Sequence, residues 1–133
     1  MATWDDLVRW VRVRYEVMAT DAAGLTFRLP TTAGRDQLVH VSHHVPATGE
    51  AAGREWVRIE SPIAPLDAVD LRALLRLVDE APVGGAAAVG DLAVLRHTAP
   101  LDDLTHAGFE APFRLVTATA DELEQKLTGA DRH

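Results

Sequence analysis

Three of the chain's six histidines, His40, His43 and His44, fall within one short segment. Imidazole is the commonest metal-binding side chain and the one that titrates nearest neutral pH. Spacing decides whether the three converge. In an extended strand His40 and His44 point to one face, about 13 Å apart along it, while His43 points to the other. A shared metal ion would need a bulge and a carboxylate from elsewhere. The expectation is therefore no metal site. The plainer reading is a strand end with partly exposed imidazoles, whose charge responds to pH between about 5 and 7. His97 and His106 stand far along the chain from this group.

Other catalytic chemistry finds no support. The only serines, Ser42 and Ser61, lack a nucleophile setting, and Ser61-Pro62 reads as the turn that ends a strand. Asp102-Asp103 reads as a backbone cap rather than an acid–base pair. No Gly-x-Ser-x-Gly elbow, phosphate loop, dinucleotide fingerprint or His-Glu-x-x-His motif occurs. The absence of cysteine excludes disulfides, thiolate metal sites and a thiol nucleophile. The expectation is a protein that is not an enzyme and carries no cofactor.

At 133 residues the chain is expected to form a single domain over 1–133, with a core large enough to need no staples. Its net charge of −7 disfavours nucleic acid, whose phosphates require a basic surface. Arg9, Arg12 and Arg14 lie close together and read as the solvated face of the first element. Twelve Arg against one Lys, with 22 Ala and no Asn, is the bias of a GC-rich bacterial genome, so arginine usage alone is no sign of bidentate recognition. The first residues show no signal-peptide pattern and no apolar run is long enough to span a membrane, so a cytoplasmic, membrane-free protein is expected.

Periodicity sets the elements that must position any site. Thr3 caps a helix to about Arg14, within which a competing alternation of Val11, Val13, Tyr15 and Val17 begins, so the chain is expected to turn extended after it. Strands are expected at Leu25–Leu29, Asp36–His44 and Glu55–Ser61. Asp67 is expected to cap a second helix whose stripe is Leu71, Leu74, Leu75 and Val78. Val83–Val89 and Leu92–Thr98 flank the two-residue hairpin turn Gly90-Asp91. A last helix is expected from about Glu110 to Thr128, with Pro112 in its first turn, a seam of Phe113, Val116, Ala120, Leu123 and Leu127, and Gly129 as its C-cap. The order helix, three strands, helix, two strands, helix implies an α+β fold, a two-layer sandwich with an antiparallel sheet.

Such a fold leaves one sheet face without helices. Trp56 falls on the strand face opposite Val57 and Ile59, and Trp10, Val13 and Val17 form a second apolar stripe beside the main one of the first helix. These four are the candidate protein-binding residues. The competing reading places Trp10 and Trp56 in an irregular core, since tryptophan is highly buried on average.

Several short motifs, taken in order, resemble the YbjN-type bacterial proteins, often labelled sensory-transduction regulators, which are similar in fold to class I chaperones of type III secretion. They are Gly34-Arg35, Ser61-Pro62, Leu71 with Leu74-Leu75, Pro82-Val83-Gly84, Leu95-Arg96, Pro100-Leu101, Ala120-Asp121-x-Leu123-Glu124 and Gly129-x-Asp131. The resemblance implies a homodimeric, non-catalytic protein-binding domain, chaperone-like or regulatory, with a protein partner whose identity it does not give. It does not imply a secretion system. The alternatives are an immunity or antitoxin-like stoichiometric inhibitor, whose acidic surface would steer towards a basic toxin, and a metal sensor using His40, His43 and His44.

Overall fold

Capping and charge explain where the first helix starts and stops. In the computed structural model, which describes residues 3–128, helix α1 is Trp4–Arg14. The Thr3 hydroxyl accepts the Asp6 N–H at 3.1 Å, with Asp5 and Asp6 in the first turn and Arg12 and Arg14 in the last. That arrangement opposes the helix dipole at both ends. The backbone turns extended at Tyr15, which ends the competition between helical and alternating periods there.

The strands are β1 (Ala19–Thr20), β2 (Gly24–Pro30), β3 (Asp36–His44), β4 (Trp56–Pro65), β5 (Gly85–Val89) and β6 (Leu92–Pro100). Helix α2 is Leu71–Val78 and helix α3 is His106–Thr128. The six strands form one antiparallel open sheet in the order β1-β2-β3-β4-β6-β5. The fold is α+β, as the element order implies, with α3 packed against β3, β4 and β6. Two-residue β1, paired with β2, is an addition to the expected strands. No helix among the described residues is long and apolar enough to cross a membrane.

Alternation along the strands sends one set of side chains into a single core. Leu25, Phe27, Val39, Val41, Val57, Ile59, Ile63 and Leu95 meet Phe109, Phe113, Val116, Ala120 and Leu123 of α3 and Leu7 and Val11 of α1. Phe27 and Phe113 meet edge to face at 5.4 Å, and Phe113 lies 5.2 Å from Phe109. Polar pins fix the helices. Arg14 and the Tyr15 hydroxyl both donate to Glu110, holding its carboxyl below the usual range, the Tyr15 bond contributing most. Arg35 donates to both oxygens of buried Asp121, at 3.3 and 2.8 Å, tying α3 to the start of β3.

Four expected details change. Strand β4 does not stop at Ser61 but runs through Pro62 to Pro65, with a register shift between Pro62 and Ala64. The shift absorbs the missing N–H of proline. Gln37 supplies the support: its amide donates to the Ser61 hydroxyl at 3.1 Å and to the Pro62 carbonyl at 2.6 Å. The cap of α2 is Asp70, not Asp67, and accepts from the N–H groups of Arg72 and Ala73. Asp67 sits in a 3₁₀ turn just before it.

Helix α3 begins a turn early, at His106, because Thr105 caps it through the Gly108 N–H at 2.9 Å. Pro112 therefore lies beyond the first turn, where its missing N–H removes one bond to the Gly108 carbonyl without ending the helix. Finally, the α2 stripe is not buried as a unit: Leu74 is 2 % exposed, whereas Leu71 and Leu75 are 50 % and 62 % exposed. The expected C-cap Gly129 lies outside the described residues.

Candidate functional site: the uncovered sheet face

Side chains that alternate with the core set form the other face of the sheet, and they fall in rows because the strands are in register. One row is apolar: Leu38 of β3, Pro62 of β4, Val94 of β6 and Ala87 of β5, with Pro62 opposite Val94 and Val94 opposite Ala87. The next is Thr26, His40, Glu60 and Arg96, each the cross-strand partner of the one before. Then come Ser42, Arg58 and Thr98, and last His44, Trp56 and Pro100.

The second row is internally satisfied. His40 Nδ1 lies 2.9 Å from the Thr26 hydroxyl, and Arg96 donates to Glu60 Oε2 at 3.1 and 2.9 Å through Nε and Nη2. Beside it the apolar row forms the floor of a cleft of about 230 Å³, lined by Thr26, Leu38, His40, Glu60, Pro62, Val89, Leu92 and Val94. Val89 and Leu92, at its rim, are 45 % and 42 % exposed. At the far end the Arg54 guanidinium lies 5.1 Å over the Trp56 ring. Trp56 Nε1 and Arg58 Nε are buried there without a hydrogen-bond partner.

The three clustered histidines do not converge. His40 and His44 are on the uncovered face, and His43 is on the core side, stacked on Trp4 at 5.4 Å. His43 Nε2 lies 2.9 Å from Glu55 Oε1 but out of line for a hydrogen bond, so the contact is an ion pair only when the ring is protonated. No group of three or more His, Asp or Glu among the described residues is placed to hold a metal ion.

His44 is held below the ordinary histidine range by burial, then by the charges of Arg58, Arg96 and His43; its Nε2 lies 3.1 Å from Arg58 Nη2. His97 is lowered by burial alone. For both rings the unfolded chain binds protons more readily than the folded one. Their contribution to stability is therefore complete above the unfolded pKa of about 6.5 and is lost as pH falls through the lower folded values. The melting temperature is expected to fall between pH 7.5 and pH 5, and His97→Gln is expected to flatten that slope. A curve that rises on acidification contradicts this assignment.

The four candidate binding residues do not share a surface. Trp10 lies at the seam of α1 and α3, stacked on His106 at 4.5 Å and edge-on to Phe109 at 5.8 Å. Val13 projects into solvent at 87 % exposure. Val17 lies past the end of α1 and packs on the core. Trp56 alone is on the uncovered face. Leu38, Val89, Leu92 and Val94 were not singled out from the sequence, because a strand's alternation defines two faces without saying which one the helices cover. The signal that would have found them is the cross-strand register, which places Pro62 and Val94 side by side. No family model, no curated protein and no solved structure matches this chain.

Proposed function

We propose that this chain is a non-catalytic protein-binding domain, chaperone-like or regulatory in the manner of the YbjN-type proteins it resembles, acting as a homodimer and engaging its partner through the uncovered sheet face. The observation that carries the reading is the apolar cleft over Leu38, Pro62 and Val94, flanked by an already satisfied charged row. An apolar centre with a polar rim is the anatomy of a protein interface.

The double variant Leu38→Gln, Leu92→Asp tests the reading. It is expected to keep its helical and sheet circular dichroism and to lose the proteins that the immobilised wild-type chain retains from a bacterial lysate at high salt. Identical retention by wild type and variant contradicts the sheet-face reading. Retention that disappears for the wild type at high salt favours instead the acidic stoichiometric inhibitor, because charge steering is screened and apolar burial is not.

A further inference from the structure

We infer that the cavity where the end of α1, the end of β2 and the middle of α3 meet binds a small carboxylic acid with an apolar body, its carboxylate on Arg114. The site lies on the helical side of the sheet and is independent of the uncovered face.

The cavity exists because two elements stop at different places. Helix α1 ends at Arg14 and the backbone turns extended at Tyr15, whereas β2 runs on to Pro30. The space left there is about 290 Å³, and α3 bounds its remaining side. Arg114, Thr117 and Ala118 line it with the three- and four-residue spacing of one helix face. Tyr15, Leu29 and Pro30 supply apolar walls. The volume suits a small ligand, just below the roughly 300 Å³ where small-molecule pockets begin. The rim beyond β2 is fixed in place: the Thr31 N–H donates to the Arg35 carbonyl at 2.7 Å, and Arg35 is held by buried Asp121. A pre-formed cavity needs little ordering when a ligand enters.

The polar groups of the wall call for one anion. Glu110 stands four residues before Arg114, the spacing of a helical ion pair. That pair does not form, because Glu110 is taken by the end of α1: it accepts from Arg14 at 3.0 Å and from the Tyr15 hydroxyl at 2.9 Å. Arg114 forms no ion pair among the described residues. Its guanidinium lies over the Tyr15 ring, 5.9 Å from the centroid. The two wall hydroxyls already have acceptors: Thr117 donates to the Phe113 carbonyl at 2.8 Å and Thr31 to the Arg35 carbonyl at 3.2 Å. What remains is a cation beside apolar surface. A guanidinium recognises a carboxylate by charge and by two parallel N–H donors. The Tyr15 ring, with Leu29 and Pro30, favours an aromatic body next to that carboxylate. Arg114 is exposed, so the carboxylate sits at the mouth and the body enters.

Titration with 3-phenylpropionate, up to about 20 mM, tests the site. Tyr15 is the only tyrosine of the chain, so its ring resonances in the NMR spectrum report on this cavity. They are expected to shift saturably in the wild type. The uncharged 3-phenylpropionamide, and the acid added to Arg114→Gln, are each expected to bind at least 10-fold more weakly. Ala118→Phe, at an exposed position, fills the cavity and is expected to abolish the shift. Leu38→Gln with Leu92→Asp, on the other face of the sheet, is expected to bind as the wild type does. Equal binding of acid and amide would overturn the role of Arg114. No saturable shift in the wild type, or a shift unchanged by Ala118→Phe or lost in the sheet-face variant, would overturn the site. If Ala118→Phe fails to fold, Arg114→Gln and the amide decide.

Discussion

Phe113→Ala is expected to destabilise the fold by about 3–5 kcal/mol, in the range found for truncating a fully buried aromatic side chain. Phe113 is 0 % exposed and sits on α3 at the meeting point of every layer. Its ring touches Phe27 of β2 at 5.4 Å, Tyr15 at the end of α1 at 5.0 Å and Phe109 at 5.2 Å. Phe27 and Tyr15 approach from two other elements and Phe109 from the preceding turn of α3, so none can collapse into the space without shifting its own backbone. Part of the loss is aromatic pairing, about 0.5–1.5 kcal/mol per contact beyond simple burial. Urea denaturation reads the effect as a lower midpoint at constant slope. Phe113→Leu, which restores most of the volume, is expected to recover more than half of it. A loss below about 1 kcal/mol for the alanine variant would mean that α3 is not held by this cluster.

The second large effect is expected at Gly84. Its φ is +70°, a left-handed conformation that side chains strain, and an added Cβ would also collide with the Arg96 carbonyl. These costs are independent: about 1–3 kcal/mol for the backbone and about 1–3 for the overlap. Gly84→Ala is therefore expected to cost about 2–6 kcal/mol. Gly84 leads directly into β5, so relief of the collision would push the edge strand away from β6. A neutral Gly84→Ala would contradict the geometry of this turn.

The fold was legible in the sequence where local signals agreed. Thr3 before Trp4, the alternation from Asp36 to His44, Gly90-Asp91 between two apolar runs and the spacing of Phe113, Val116, Ala120 and Leu123 each point to one element. It was less legible where the deciding contact comes from a distant residue. Pro62 reads as a strand terminator because it lacks an N–H; it is carried inside β4 by the amide of Gln37, which no local pattern announces. Asp67 and Asp70 are both plausible caps, and only the bonds to Arg72 and Ala73 separate them. Leu71 and Leu75 have helical spacing whether they face a core or a partner, and the fold places them outside.

The candidate site was less legible still. Trp10 and Trp56 are both large aromatics between a charged residue and a valine, and the sequence treats them alike. The structure sends Trp10 into the seam between α1 and α3, where His106 and Phe109 surround it, and leaves Trp56 on the side of the sheet without helices. The cleft at the other end of that face is assembled from four strands, β2, β3, β4 and β6, with Val89 of β5 at its rim. Each strand contributes one or two ordinary residues, so no single stretch of sequence carries its signature. The histidine cluster shows the reverse: adjacent letters suggest a site, and the strand's two-residue period pulls them to opposite sides.

The most direct test of the account is side-chain footprinting by hydroxyl radicals, on the chain alone and saturated with a protein it retains from lysate. Protection is expected at Leu38, Val89 and Leu92, with Trp56 protected at the far end of the same face and Trp10 and Val13 unchanged. Protection confined to Trp10, Val13 and the outer surface of α3, with Val89 and Leu92 as reactive as before, would contradict it.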